Sequence, residues 1–253
     1  MKSKRALHKT ADTSLTLTDL KRELTRASDA DRALNLRWFF KTGKGEYGEG
    51  DQFCGITVPV QRKIARRYTH LRRSDIRKLL RSPVHEHRFT ALRILVFQYE
   101  QADAAARNEI FDFYLRNTRG INNWDLVDTS APYIIGVHLL SRSRRILYRL
   151  AKSSALWERR IAMVSTMAFI AQGELQDTFA IARILLGDKQ DLIHKAIGWM
   201  LRETGKRSRP ALLEFLRVNY SRLPRTALRY AIERLPESQR KRALRGEFAE
   251  RCG

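Results

Sequence analysis

Residues 88–92 read Arg-Phe-Thr-Ala-Leu, a basic residue followed by small and apolar ones, and the pattern returns along the 253-residue chain. It recurs as Arg160-Ile-Ala-Met, Lys195-Ala-Ile and Arg225-Thr-Ala-Leu, in steps of 72, 35 and 30 residues. Because 72 is twice 36, another unit is expected near position 124, where residues 123–128 read NWDLVD. A period of this length predicts two helices per unit, with stacked units burying each other's apolar faces.

Helical periodicity extends over most of the chain from Leu15 onward. Apolar residues recur at three- and four-residue spacing, as in Ile64, Tyr68 and Leu71. Five of the six prolines stand where helices are expected to begin: Pro59, Pro83, Pro210, Pro224 and Pro236. The alternation typical of strands is absent. The sequence therefore predicts an all-α superhelical solenoid of antiparallel helix pairs, as one domain over residues 15–253, preceded by a basic flexible arm over residues 1–14.

Charge is the strongest global signal. Lys and Arg number 49 and Asp and Glu 27, for a net charge of +22. Such an excess favours a polyanionic partner through counterion release, although it does not separate DNA from RNA or an anionic membrane surface. If the repeated basic residues face inward, they line a concave basic groove wide enough for a duplex. The alternative is that they cap helices or lie over the core, in a soluble protein that is simply rich in arginine.

Other features narrow the class of protein. No apolar run approaches the length of a membrane span, and the first residues lack the apolar region of a secretory signal. Cys54 and Cys252 form neither a disulfide framework nor a metal spacing, which favours a reducing cytoplasm. We expect a monomer in the cytoplasm, of bacterial type and nucleoid-associated, without metal or cofactor.

Two further motifs are set aside. Residues 43–56 read GKGEYGEGDQFCGI and include a Gly-x-Gly-x-x-Gly pattern. The pattern follows a helical run rather than a strand, and Glu46, Glu49 and Asp51 would repel a pyrophosphate, so we expect a connecting or DNA-adjacent loop. The run His85-Glu86-His87 resembles a metal site, but side chains two apart on a helix do not converge, and a helix N-terminus is the better interpretation.

The residues most suggestive of chemistry are Trp124 and Asp128, which share a helix face at four-residue spacing, whereas Asp125 should point elsewhere. Lys195 and Trp199 share a face in the same way. A carboxylate is unfavourable for binding phosphates, so beside basic residues such as Arg160 it indicates another task. An anion stabilises the oxocarbenium-like sugar formed when a cationic base leaves, and it can orient or activate the attacking water. Indole rings can cradle such a sugar, and a cationic base needs no general acid.

The tryptophans of the chain and Asp128 also have structural interpretations. Tryptophan on a helix is more often core than catalytic, and we expect Trp38 and Trp157 in the core. Asp128 is alternatively an interhelical ion-pair partner or an N-cap for the turn that follows it.

The runs NNWDLVD (122–128), LWERRIAM (156–163) and HKAIGWMLRE (194–203) resemble the AlkD-like DNA glycosylases, also called DNA alkylation repair enzymes. So do GEYGEGDQFCGITVP (45–59) and PRTALRYAIERL (224–235). The resemblance covers about residues 30–235. It implies HEAT-like repeats in a C-shaped solenoid that excises positively charged N3- and N7-alkylated purines from duplex DNA, in base excision repair, without flipping the base.

The resemblance also implies residue roles. Asp128 is the expected catalytic carboxylate, Trp124 and Trp199 the aromatic pair at the sugar, and Arg160 a phosphate anchor. The remaining basic residues in matching helices are expected to bind DNA: Arg62, Lys195, Arg202 and Arg225. Alternatives are a non-catalytic binder of branched or structured DNA, as some relatives are, and a protein scaffold with an acidic partner.

Overall fold

The computed structural model describes residues 14–248. Within that range the chain is helical and contains no strand, only one isolated parallel bridge between Gln52 and Val84. The first α-helices are α1 (Leu17–Arg26), α2 (Ala30–Phe39), α3 (Val58–Arg67), α4 (Arg73–Leu80), α5 (His85–Gln101), α6 (Ala104–Arg116) and α7 (Trp124–Asp128). The predicted all-α class is confirmed, whereas the predicted arm lies outside the described residues except for Ser14.

The later α-helices are α8 (Arg145–Leu150), α9 (Leu156–Ser165), α10 (Met167–Ala171), α11 (Gln176–Leu185), α12 (Asp191–Arg207), α13 (Arg209–Asn219), α14 (Arg225–Ala231) and α15 (Glu237–Leu244). Short 3-10 helices cover Thr118–Gly120 and Tyr220–Arg222, and a π-helix covers Pro132–Gly136. No helix within residues 14–248 is both long enough and apolar enough to cross a membrane.

Helix starts follow local chemistry. The Thr16 hydroxyl accepts from the amide of Asp19 and the Asp19 carboxylate from that of Thr16, a reciprocal capping box. Three more helices have a side-chain cap that accepts from a backbone amide: Asp29 caps α2, Asp103 caps α6 and Ser208 caps α13. The five prolines singled out in the sequence all lie within the first two helical residues or within two residues before them, which confirms that prediction.

Contacts between Cα atoms divide the chain into two compact units, with the boundary between Leu126 and Val127. In the first unit, the 17-residue α5 is buried along most of its length and packs against α1, α3, α4 and α6. In the second unit, the 17-residue α12 packs against α9, α10, α11, α13 and α14. The single domain, the superhelical arrangement and the basic groove stay predictions.

The repeated residues of the sequence pattern all fall within the first five residues of helices, but two of the basic ones are buried. Arg88 donates to the backbone carbonyls of Ser82 and Pro83 and pairs with Asp51. Arg159, rather than Arg160, repeats this arrangement: it donates to carbonyls six and five residues before it and pairs with Asp188. The hydrogen bonds thus place the repeat one residue from the register that the sequence predicts.

The prediction that Trp38 and Trp157 are core residues is wrong. Trp38 is 84% exposed, and no residue of α2 is buried. Leu34 lies one turn before Trp38 on the same face and is also exposed, so this face of α2 is apolar but points to solvent. Trp157 is half-buried near the start of α9. For Trp38, the average burial of tryptophan gave the wrong prediction because α2 buries none of its residues.

Candidate functional site

Asp128, the last residue of α7, forms a bidentate ion pair with Arg160 of α9. The Nε and Nη2 atoms of Arg160 donate to the two carboxylate oxygens over 2.9 and 2.8 Å. Arg160 is buried, and its Nη1 also donates to the backbone carbonyl of Leu192 at the start of α12. The Asp128 side chain keeps 13% of its surface exposed. The ion pair that the sequence left open is therefore present, and it fixes the carboxylate in one orientation.

Arg160 does not have the environment of a simple phosphate anchor. Its side chain is only 5% exposed, and three of its five N–H groups point at Asp128 and Leu192. The direct effect of this guanidinium is on the position of the carboxylate. Its predicted contact with the DNA backbone stays a prediction.

Helix α12 carries Lys195 and Trp199 in the same unit. Lys195 is half-exposed and pairs with Asp191 one turn earlier, over 2.8 Å. Trp199 is half-buried and follows Gly198, where a Cβ atom would lie 2.4 Å from Cβ of Tyr230 and 2.6 Å from the carbonyl oxygen of Ala227. The glycine thus permits the close packing of α14 on α12 beside this tryptophan.

Trp124, the first residue of α7, lies at the end of a stack of rings in the first unit. Its indole is stacked on Phe40, with ring centroids 5.3 Å apart and planes 17° from parallel. Phe40 is stacked on Phe53 at 5.0 Å, and Phe53 on the imidazole of His85 at 4.7 Å. Phe39 meets the indole edge-on at 6.0 Å. The indole remains half-buried, so part of its surface is open to a ligand.

A polar cluster that the sequence did not reveal lies at the far end of this stack. The side chain of His85 is 3% exposed and is held between two carboxylates: Nδ1 is 3.2 Å from Asp51 and Nε2 is 2.8 Å from Asp125. Arg88 pairs with Asp51 over 2.7 Å, and the amide of Asn123 donates to the same carboxylate over 3.3 Å. We name this set, Asp51, His85, Arg88, Asn123 and Asp125, the histidine cluster.

Electrostatics keep the imidazole of the histidine cluster protonated. Burial alone would lower the pKa of His85, but the charge of Asp125 and hydrogen bonds to both carboxylates outweigh burial and the repulsion of Arg88, and raise it to about 9. Asp51 shows the converse: burial favours its neutral form, yet His85, Arg88 and Asn123 together lower its pKa. The predicted divergence of Asp125 from Asp128 agrees with their separate partners, His85 and Arg160.

The glycine-rich loop is held by carboxylates. The amides of Gly43 and Gly45 donate to Glu46 and Glu49, each over 2.8 Å. Glu86, which is 1% exposed, accepts from the amides of residues 54, 55 and 56 over 2.7 to 3.3 Å. Of the run His85-Glu86-His87, the first residue indeed begins α5, and the three side chains have different partners. Within residues 14–248 no group of three acidic, histidine or cysteine side chains is placed to hold a metal ion.

The other predicted DNA-binding residues differ in exposure. Arg62 on α3 is exposed. Arg225, also exposed, donates to the backbone carbonyl of Leu244 over 3.0 Å. Arg202 is mostly buried and lies between the carboxylates of Glu203 and Glu233. Arg62 and Arg225 are therefore better placed than Arg202 to meet an external anion.

Chemically, the second unit offers a carboxylate that is oriented by a buried arginine and still partly open to solvent. The first unit offers an indole face supported by a ring stack. A fixed anion stabilises a cation that develops beside it, and an indole face attracts positive charge.

Comparison with known proteins assigns the chain to a family. The model of the family described as DNA alkylation repair enzyme matches residues 20–235. The solved structure of a predicted DNA alkylation repair enzyme from Enterococcus faecalis shares the fold with a TM-score of 0.63 and 14% sequence identity, over 83% of this chain and 97% of that one. A search of curated proteins finds no match. The match over most of the chain shows that this protein belongs to the DNA alkylation repair enzyme family.

Proposed function

We propose that the protein is a monofunctional DNA glycosylase that hydrolyses the N-glycosyl bond of N3- or N7-alkylated purines in duplex DNA. The observation that supports this most directly is the Asp128 carboxylate, which Arg160 orients in a bidentate pair while 13% of its side chain stays exposed. Membership of the repair family makes DNA the partner, and the charge of +22 suits a polyanion.

The proposed chemistry needs an anion rather than an acid. An alkylated purine carries positive charge and leaves as a neutral base, so the electrons of the breaking bond go to the base without protonation. The sugar acquires oxocarbenium character, which the Asp128 carboxylate stabilises, and water then attacks the anomeric carbon. In this proposal Trp124 and Trp199 contact the sugar through their ring faces, and Lys195, Arg62 and Arg225 bind phosphates.

The decisive experiment is release of free base from DNA that contains 7-methylguanine or 3-methyladenine. We expect the wild-type protein to release base and leave abasic sites, and Asp128→Asn to lower the single-turnover rate by roughly 10²-fold or more, the usual effect of losing one preorganised electrostatic group. Affinity for DNA should stay equal or rise, because a charge that repels phosphates is removed.

A matched control is Asp188→Asn. Asp188 pairs with Arg159, the neighbour of Arg160, and is similarly buried, but it has no role in the proposed chemistry. This variant should release base at close to the wild-type rate. Equal loss of rate in the two variants, or no loss in Asp128→Asn, would refute the assignment.

A second candidate function is a non-catalytic binder of branched DNA. The Asp128–Arg160 ion pair is the observation that favours it, because the pair would then have only a structural role, holding α7 against α9. This candidate predicts no base release, tighter binding to a junction than to linear duplex, and little change in either affinity on Asp128→Asn.

A further inference from the structure

The histidine cluster has no part in the proposed reaction, yet it is among the most buried polar groups of the first unit. Its imidazole is 3% exposed and Asn123 is fully buried. Buried polar groups are costly unless they are paired, so a chain that keeps four of them together, with Asp125 nearly buried beside them, does so for a structural or functional purpose.

Two connections lead from this cluster to Trp124. The first is the backbone. Trp124 stands between Asn123, whose side chain binds Asp51, and Asp125, whose carboxylate binds His85. The Asn123 side-chain oxygen also accepts from the amide of Trp124 over 2.8 Å. Both neighbours of Trp124 in the chain are therefore held by the cluster.

The second connection is the ring stack. The imidazole of His85 is stacked on Phe53, Phe53 on Phe40, and Phe40 on the indole, with successive centroids 4.7, 5.0 and 5.3 Å apart. Successive ring planes are 22°, 19° and 17° from parallel. The tilt of the indole thus depends on a series of rings whose far end is fixed by two carboxylates.

We propose that His85 is a positioning residue which, through Asp125 and the Phe53–Phe40 stack, sets the orientation of Trp124. This inference rests on the proposed function only in taking the indole face of Trp124 as a contact for the sugar. Its structural part concerns the first unit alone and is open to test without any reaction.

The test compares His85→Phe with His87→Phe in the full chain. Phenylalanine at position 85 keeps a ring against Phe53 but cannot bind Asp51 or Asp125. His87 is on the same helix and half-buried, and its Nδ1 lies 2.9 Å from the hydroxyl of Ser82, so it controls for loss of a histidine. Labelling with 5-fluorotryptophan gives one ¹⁹F signal for each of the four tryptophans, and Trp124→Phe identifies the signal of residue 124.

We expect His85→Phe to shift and broaden the Trp124 signal, while the signals of Trp38, Trp157 and Trp199 and all signals of His87→Phe stay in place. Base release should slow by about 10-fold at saturating protein, with unchanged affinity for DNA, because small misplacements of a contact group act on the reacting geometry. An unmoved Trp124 signal in His85→Phe would overturn the inference. A moved signal with base release at the wild-type rate would uphold the positioning and remove Trp124 from the proposed site.

A pH titration of the wild-type protein is independent of whether His85→Phe folds. The groups that face the imidazole are Asp51, Asp125 and Arg88, and the two carboxylates outweigh burial and the charge of Arg88 to raise the pKa of His85 to about 9. The Trp124 signal should therefore move with a midpoint near pH 9, and the other three should not move at that midpoint. A Trp124 signal that stays constant between pH 7 and pH 10 would contradict the inference.

Discussion

The histidine cluster of the first unit and the Asp128–Arg160 pair of the second hold carboxylates in different ways. In the cluster, Asp51 and Asp125 are bridged by the imidazole of His85, whose pKa of about 9 lets it lose its positive charge as the solution becomes basic. In the pair, Asp128 faces a guanidinium, the side-chain group that carries a permanent positive charge in proteins. Similar burial and hydrogen bonding can therefore give one region whose cation is lost as the pH rises and another whose cation is kept.

The largest effect is expected from Arg160→Gln. Removing this partner leaves a largely buried carboxylate without its cation, which should lower the free energy of unfolding by roughly 3 to 5 kcal/mol. Denaturant titration gives this value, and adding Asp128→Asn to Arg160→Gln should restore part of it. If the double variant is no more stable than Arg160→Gln alone, the two side chains do not act as a pair.

The next effect separates the two regions by pH. The folded-state pKa of His85, about 9, lies above its ordinary value of 6.5, so protonation stabilises the fold fully below about pH 6.5 and no longer does so once the pH has passed about 9. The difference in unfolding free energy between wild type and His85→Phe should therefore shrink by up to about 3 kcal/mol between pH 6.5 and pH 10. The corresponding difference for Arg160→Gln should stay constant, and a parallel change in both would erase the contrast.

A smaller effect tests how far the packing of α14 on α12, rather than charge, stabilises the second unit. Gly198→Ala places a methyl group against Tyr230 and Ala227, at distances that require α12 and α14 to move apart. We expect a loss of roughly 2 kcal/mol in thermal or chemical unfolding. Gly187→Ala is the control, because nothing lies within 4 Å of the added atom. Equal stability of the two variants would show that α14 does not constrain α12.

The smallest effect concerns a residue outside both regions. Arg62→Gln should reduce the slope of log affinity against log salt by about one unit and weaken DNA binding a few-fold, if this exposed arginine meets a phosphate. Arg217, which is also exposed but is paired with Glu214, provides the control. Fluorescence anisotropy at several salt concentrations measures both, and an unchanged slope for Arg62→Gln removes it from the interface.

Periodicity predicted the fold class because most helices bury apolar residues at three- and four-residue spacing, as α4 does with Ile76, Leu79 and Leu80. Of the three residues that illustrated this spacing in the sequence, Ile64 lies in α3, whereas Tyr68 and Leu71 are buried just after α3 ends. The partners of Asp128 were left open, since pairing with Arg160 depends on how α7 and α9 pack, which spacing does not record. The histidine cluster was not predicted, because Asp51, His85 and Asp125 are separated by 34 and 40 residues. The one available signal was a histidine shortly before the mostly apolar run at residues 89–97.

The carboxylates of the glycine-rich loop have a consequence for nucleotides. Glu46, Glu49 and Glu86 already act as acceptors for amides that a phosphate group would need, and each is tethered to the chain. A tethered ligand competes at an effective concentration on the order of millimolar or higher. An incoming phosphate ester must displace these carboxylates and then remain beside their negative charge. The Gly-x-Gly-x-x-Gly motif of this chain therefore disfavours nucleotide binding, because its amides already have acceptors within the protein.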